Sequence, residues 1–350
     1  MADPKRNRLI RRLVMTPAVV VGVPLVLIVS PLLLVASLLV DLMTGSRQCS
    51  STRLLTMVLN YLIYEWLGVI VAFPLWVATG FGLFMASKWS RRAHYSVQRW
   101  WAVGLFKAVG RCLGALFEIE NGDLVATGPI IIAARHASFF DALLPSVLLS
   151  RYSDMPARHV LKRELAWDPC LDIYGHRHPN HFVARGSGNS TDPIEALAST
   201  AGSEALVIFP EGTFRTATRA NRILEKFATR EPERAKRLRL SHLLPVRPLG
   251  IEALMVGCPD ADIVFIAHTG LEPFGSLRTI IANVPFTAPV RVKLWRIPAN
   301  EIPAEADQRL AVIDQWWQRM DDWVALNHIG NGSRPDASKP IRPIGPDPGA

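Results

Sequence analysis

Cysteine is scarce in this chain. Four cysteines in 350 residues, at positions 49, 112, 170 and 258, form no Cys-x-x-Cys pair. Their separation argues against a disulfide framework or a structural metal site, and for a domain facing a reducing compartment. Acidic residues are also short, 30 against 39 Lys and Arg, which leaves a net charge of +9. No zinc-finger spacing, RNA-binding signature or basic heptad array accompanies the excess. That argues against nucleic acid as a partner and favours an anionic membrane surface or a polyanionic substrate. Charged side chains are missing from Leu13 to Val40, and again from Trp66 to Ser87. There is no internal repeat.

Apolar residues, 49% of the whole, are concentrated in the first ninety positions. Leu13–Val40 exceeds the roughly 20 apolar residues that a bilayer span requires. It is too long for the apolar region of a cleaved signal peptide, which runs to about 15 residues. Pro17, Pro24 and Pro31 interrupt it, so a kinked span and a re-entrant hairpin both fit. Basic residues cluster before the first run (Lys5, Arg6, Arg8, Arg11, Arg12) and after the second (Lys88, Arg91, Arg92, Arg99), with Arg47 and Arg53 between. This places both ends of the hairpin, and the domain after it, on the cytoplasmic side of a plasma or inner membrane. The segment Arg91 to Lys107, with Trp100 and Trp101, reads either as an interfacial helix or as the first helix of the domain.

From position 128 short apolar runs alternate with helical patterns. Strands are expected at Ile130–Ala134, Phe182–Val183, Ala205–Phe209, Pro245–Leu249, Ile263–Ala267 and Val290–Trp295. Thr191-Asp192-Pro193 reads as a helix start. The alternation implies an α/β domain with a mixed, mostly parallel sheet flanked by helices. The basic stretch Arg219 to Arg239 reads as a lipid-docking helix or a solvated face. Residues 305–328 read as an amphipathic helix with Trp316, Met320, Trp323 and Leu326 on its buried face. The expected organisation is a membrane-anchoring hairpin over 1–90, a catalytic domain over 91–328 and a disordered tail over 329–350.

Two segments carry the chemistry. In the first, Ile131 to Asp141, an apolar strand runs into His136, with Asp141 five positions on. Functional loops of α/β domains sit at such strand ends. A neutral imidazole can take a proton from an attacking hydroxyl, and a carboxylate on its other nitrogen fixes the tautomer. Ser138 lies between them without a Gly-x-Ser-x-Gly elbow, so it is read as a hydrogen-bonding residue. In the second, Phe209-Pro-Glu-Gly-Thr213, the Gly212 turn exposes backbone N–H groups that suit phosphate oxygens. Arg215 can pair with phosphate, and Glu211 can orient an arginine or an acceptor hydroxyl. His176, His178 and His181 with Asp172 could form a metal set, but the chemistry needs none, and no metal is expected.

These segments resemble the glycerolipid acyltransferase family that includes the 1-acylglycerol-3-phosphate acyltransferases. The resemblance spans roughly 125–255 and rests on four ordered motifs. They are His136 to Asp141; Lys162-Arg-Glu-Leu165 with Pro169, Tyr174-Gly175 and Phe182-Val-Ala-Arg185; Phe209 to Thr213; and Leu244-Pro-Val-Arg-Pro-Leu249. It implies His136 as base, Asp141 as its partner and Arg185 on the acceptor's phosphate, assisted by Lys162 or Arg215. It further implies that Glu211, Gly212 and Thr213 shape the acceptor site and that Pro245 borders the acyl donor. The family usually carries Arg directly after Glu-Gly-Thr, where this chain has Phe214, so the acceptor is left open.

The implied activity is transfer of an acyl group from acyl-CoA or acyl carrier protein to a hydroxyl of a lysophospholipid such as 1-acylglycerol-3-phosphate. The thioester is a co-substrate and no cofactor is implied. Membrane lipids and the thioester carrier are the expected partners. The alternatives are a lipid or thioester hydrolase, with water or Ser138 as nucleophile, and a non-catalytic protein that binds anionic membranes.

Overall fold

A computed structural model describes residues 5–184, 191–275 and 277–328. Three long helices come first: α1 (Lys5–Met43), α2 (Ser50–Ala78) and α3 (Lys88–Leu113). Then follow β1 (Phe117–Glu120), β2 (Ile130–Ala134), α4 (Leu144–Tyr152), β3 (Ala157–Lys162), α5 (Pro169–Arg177) and β4 (His181–Val183). The chain continues through α6 (Asp192–Ser199), β5 (Ala205–Ile208), α7 (Ala217–Arg230), α8 (Pro232–Arg237) and α9 (Pro248–Gly257). It closes with β6 (Asp262–Thr269), α10 (Leu277–Asn283), β7 (Val290–Ile297) and α11 (Ala306–Asn327).

The strands form one seven-stranded sheet in the order β1-β7-β6-β2-β5-β3-β4. Every neighbouring pair is parallel except β6–β7. The fold is therefore α/β with a mixed, mostly parallel sheet. Strand β2 lies at its centre, and all five of its residues are buried. Alternate residues of a strand point to opposite faces. Accordingly Ile131 and Ala133 pack with Leu206, Phe265, Leu254 and Trp317 on one side. Ile130, Ile132 and Ala134 pack with Leu148, Val207 and Ile266 on the other. A strand covered on both faces must be apolar throughout, as Ile-Ile-Ile-Ala-Ala is.

Several expectations need correction. Pro245–Leu249 is not a strand: Leu243 to Val246 is a buried irregular segment, and α9 starts at Pro248. Two strands, β1 and β3, were not anticipated. In α11 the buried apolar side chains are Ile313, Trp317, Met320 and Val324, whereas Leu326 is exposed. The helix is thus turned by about one residue from the face expected. The basic stretch divides into α7 and α8, and Arg234 is no surface residue. It is buried, with its Nε and Nη2 each 2.7 Å from an oxygen of Asp314. The expected tail, 329–350, lies outside the described residues.

Helices α1 and α2 are both long and apolar enough to cross a membrane. The second begins sixteen residues before the uncharged run and takes in Glu65. That side chain is buried, accepting from Trp101 Nε1 at 2.7 Å and from the Cys170 amide at 3.2 Å. The hairpin touches the domain near both of its ends. Arg11 and Arg12 pair with Asp172 of α5 at 2.5 Å, and Ser50 Oγ donates to the Val284 carbonyl at 2.6 Å. Between these points Tyr174 donates to the Gly68 carbonyl and Arg177 to that of Ala72, both at 2.8 Å. In contrast, Leu25, Ile28, Leu32 and Leu42 of α1 are exposed.

Candidate active site

Parallel strands bring their carboxyl ends to one edge of the sheet, where the following loops build sites. Registers place Ala134 beside Ile266 and Ala133 beside Ile208. His136 after β2, Glu211 after β5 and His268 near the end of β6 consequently meet at this edge, and β3 ends there at Lys162.

Asp141 organises the centre. Its Oδ1 lies 2.8 Å from His136 Nδ1. Its Oδ2 accepts from the backbone amides of Ala137 at 2.5 Å and Ser138 at 2.7 Å, and lies 3.2 Å from His268 Nε2. Burial would raise this carboxyl, but the fields and hydrogen bonds of His136 and His268 outweigh it and hold Asp141 below the usual carboxylate range. An ionised Asp141 on Nδ1 keeps the proton there. Nε2 is then the basic nitrogen. The imidazole is shielded by Phe209, with ring centroids 4.5 Å apart, and by Phe214 edge-on at 4.2 Å.

Glu211 fixes the loops around that pair. One carboxyl oxygen accepts from the His136 amide at 3.0 Å and the other from the Leu244 amide at 3.3 Å. Burial lifts this carboxyl to about 8, against the pull of those amides and of Arg135. Glu211 therefore ties the loop after β2 to the segment containing Pro245, and is only 2% exposed. Gly212 has φ +65°, and a Cβ there would come within 3.2 Å of the Arg247 side chain. Both facts favour glycine.

The remaining expected residues divide. Ser138 is fully buried, and its Oγ accepts from the amides of Phe140 and Asp141 at 3.1 and 3.2 Å. These bonds hold the loop, and they leave the Ser138 oxygen turned to main chain rather than to substrate. Pro245 is likewise buried. Thr213 is half-buried beside Phe214. Lys162 Nζ stands 5.8 Å from the Phe214 ring centroid. Arg215 donates from its amide to the His136 carbonyl at 3.1 Å, while its guanidinium reaches the Ser241 carbonyl. Arg185 lies outside the described residues. Asp172, of the possible metal set, is engaged by Arg11 and Arg12. Among the described residues no three His, Cys, Asp or Glu side chains converge as a metal site.

Two residues escaped the sequence reading. His268 directly follows the apolar run Ile263 to Ala267, which was its one signal. Arg135 directly precedes His136 and is 1% exposed. Its guanidinium donates to the carbonyls of His268 and His242 and pairs with Glu272 at 2.6 Å. It thereby locks three loops together behind the centre.

A buried His–Asp pair at a sheet edge suits proton abstraction from a bound hydroxyl. Residues 117–237 match the family model described as Acyltransferase. Among solved structures the chain is similar to the 1-acyl-sn-glycerophosphate (LPA) acyltransferase PlsC from Thermotoga maritima. Identity is 13% and the TM-score 0.44, over 78% of this chain and 98% of that one. No curated protein matches the chain.

Proposed function

We propose that this protein transfers a fatty acyl group from an acyl thioester to a free hydroxyl of a lysophospholipid, at a membrane surface. The observation that carries the reading is the His136–Asp141 pair within the segment that matches the acyltransferase family model. Asp141 is saturated by four donors, so His136 is held with Nε2 available as base.

The chemistry is a direct displacement. The acceptor hydroxyl attacks the thioester carbonyl and a C–O bond forms. His136 Nε2 takes the hydroxyl proton in the same step. The C–S bond then breaks, and the imidazolium returns the proton to the thiolate, leaving an ester and a free thiol. Asp141 stabilises the imidazolium without accepting its proton. Phe209 and Phe214 keep water from the base, which favours transfer over hydrolysis. Ser138 as nucleophile fits poorly, because its oxygen is buried and occupied by two amides. Lys162, and Arg185 beyond β4, supply the positive charge proposed for the acceptor's phosphate.

Membrane association is supported by the exposed Leu and Val surface of α1, which in water would form a large apolar patch. The hairpin's contacts near both ends support one orientation in particular. If α2 crossed the bilayer, α3 with Arg91, Arg92 and Arg99 would be drawn in with it. A hairpin lying along the membrane surface places the catalytic edge where lipid acceptors reside.

The test is an acceptor screen on detergent-purified protein with labelled long-chain acyl-CoA and acyl carrier protein thioesters. Lysophospholipids of different head groups, glycerol-3-phosphate and water alone are the acceptors. Esterification that depends on a lysophospholipid supports the reading. Fatty acid released at the same rate without any acceptor would establish a hydrolase instead.

A further inference from the structure

The basic helix α7 starts at the catalytic edge and leads away from it. Phe214, whose ring stands against His136, lies just before the helix begins at Ala217. Arg219, in the first turn, donates to the Phe214 carbonyl at 3.0 Å. One side of α7 is inward. Ala220 and Phe227 are buried, and Leu224 packs with Phe227 on the core that holds Leu206 and Trp317. Arg222, Lys226 and Arg230 recur at every fourth position along the outer side, and all three are exposed. Residues four apart on a helix are neighbours. At 1.5 Å per residue these charges form a stripe about 12 Å long.

Among the described residues none of the three has an ion-pair partner. Glu225, the one acidic residue of α7, does not pair with them. Like charges at this spacing repel and weaken the helix. The basic residues of α8 differ: Asp314 engages Arg234 and Arg237, and Glu233 engages Lys236. Nor does the stripe share a side with the hairpin. Leu224 and Phe227 pack on the sheet face of Ile131 and Ala133. On the other face, α3 sets Tyr95 in the cluster of Ile130 and Ile132. Helix α2 then packs on α3 and α5, with Val69 and Ala72 beside Trp101 and Tyr174. The sheet therefore stands between the stripe and the exposed apolar surface of the hairpin.

We propose that the outer face of α7 docks an acidic protein that carries the acyl group as a thioester on a flexible arm, a carrier-protein donor. The inference rests on the acyl-transfer reading for the identity of the cargo. Uncompensated charges along an open helix face suit the acidic surface of another protein, where they speed encounter and fix orientation. A small coenzyme is held in a concave site instead. A carrier seated on α7 lies beside the turn that ends in Phe214, and its arm reaches His136 from that side. The lipid acceptor approaches from the hairpin, across the sheet. The two substrates then meet at one edge without competing for one surface. No bond changes on α7 itself.

The deciding experiment is fluorescence anisotropy of labelled, acyl-loaded acyl carrier protein titrated with the full-length protein in detergent. Wild type and His136→Ala are compared with a charge-reversal variant (Arg222→Glu, Lys226→Glu, Arg230→Glu) and its milder counterpart with Gln at the same positions. The expected result is salt-sensitive binding by wild type and His136→Ala alike, weakened at least tenfold by charge reversal and less by Gln. The Gln variant keeps the test open if charge reversal prevents folding. Absence of binding in wild type, or equal binding by a folded variant of either kind, overturns the proposal. A variant that loses the wild-type preference for phosphatidylglycerol over phosphatidylcholine vesicles would make α7 a lipid-docking helix and overturn it too.

Kinetics with one lysophospholipid acceptor then tie docking to turnover. Charge reversal should raise KM for the carrier-protein thioester at least tenfold and leave KM for acyl-CoA within about twofold, since only the first donor touches α7. An equal rise with both donors, or a wild type that uses acyl-CoA alone, overturns the proposal. Carrier-protein binding by a wild type that esterifies no acceptor would sink the acyl-transfer reading while leaving the docking surface standing.

Discussion

Asp141→Asn is the most informative single substitution. The two side chains share a shape, so the change is electrostatic. Asn presents one acceptor oxygen and one NH2. At the Oδ2 position three donors converge, the amides of Ala137 and Ser138 and His268 Nε2; at Oδ1 only His136 Nδ1 does. An NH2 at Oδ2 would face two main-chain N–H groups that cannot turn away. The oxygen must take that position, and the NH2 must face His136. Nδ1 then becomes the acceptor and the proton moves to Nε2, which removes the basic nitrogen from the substrate side. The loss should approach that of deleting the base, roughly 10³–10⁴ in rate, or about 4–5 kcal/mol of barrier. Stability should fall by about 2–4 kcal/mol, because charge-assisted hydrogen bonds become neutral ones. Single-turnover thioester consumption gives the rate, and nitrogen NMR of the imidazole reads the tautomer. A folded Asp141→Asn protein that works within tenfold of wild type, or keeps its proton on Nδ1, would refute the reasoning.

Other consequences follow from the same structure. Arg234→Ala should cost about 3–5 kcal/mol in urea unfolding, since it leaves the buried Asp314 with only the exposed Arg237 as an ionic partner; Arg234→Met with Asp314→Leu should cost less. Gly212→Ala should destabilise by about 1–2 kcal/mol, from its positive φ and the approach to Arg247. Glu211 and Asp141 should impose opposite pH dependences on stability. The raised Glu211 carboxyl contributes fully below its unfolded value, and that contribution is lost as pH rises through about 8. The depressed Asp141 contributes above its unfolded value and loses this as pH falls. Chemical denaturation between pH 5 and 9 should show a fall in stability that Glu211→Gln flattens.

Much of the central sheet was legible because β2, β5 and β6 are covered on both faces and so are apolar runs. Strands β1 (Phe-Glu-Ile-Glu) and β3 (Ala-Arg-His-Val-Leu-Lys) were missed because they carry charges. Arg158 at 3% exposure is tolerated only through its bonds to Glu204, Leu197 and Thr200, which no local pattern reveals. The Pro245–Leu249 run misled for a definite reason. Its prolines at 245 and 248 have no N–H for a sheet ladder, and its Arg247 amide donates to the Pro210 carbonyl at 3.0 Å, joining two loops. In α11, adjacent Trp316 and Trp317 satisfy two helical faces equally. The choice falls to Trp317, whose Nε1 donates to the Leu244 carbonyl at 2.8 Å. The His136–Asp141 pair was legible because both members lie within one loop. His268, 132 residues downstream of the base, reaches Asp141 only through the β2–β6 register.

The most direct test of the account compares His136→Gln with wild type, in the same detergent, for acyl transfer to the best lysophospholipid acceptor. Circular dichroism and thermal melting would confirm the fold. A folded variant slower by about 10²–10⁴, with acceptor KM changed less than threefold, is the predicted result. A folded variant that still esterifies at the wild-type rate would show that His136 is not the base, and the proposed chemistry would fall with it.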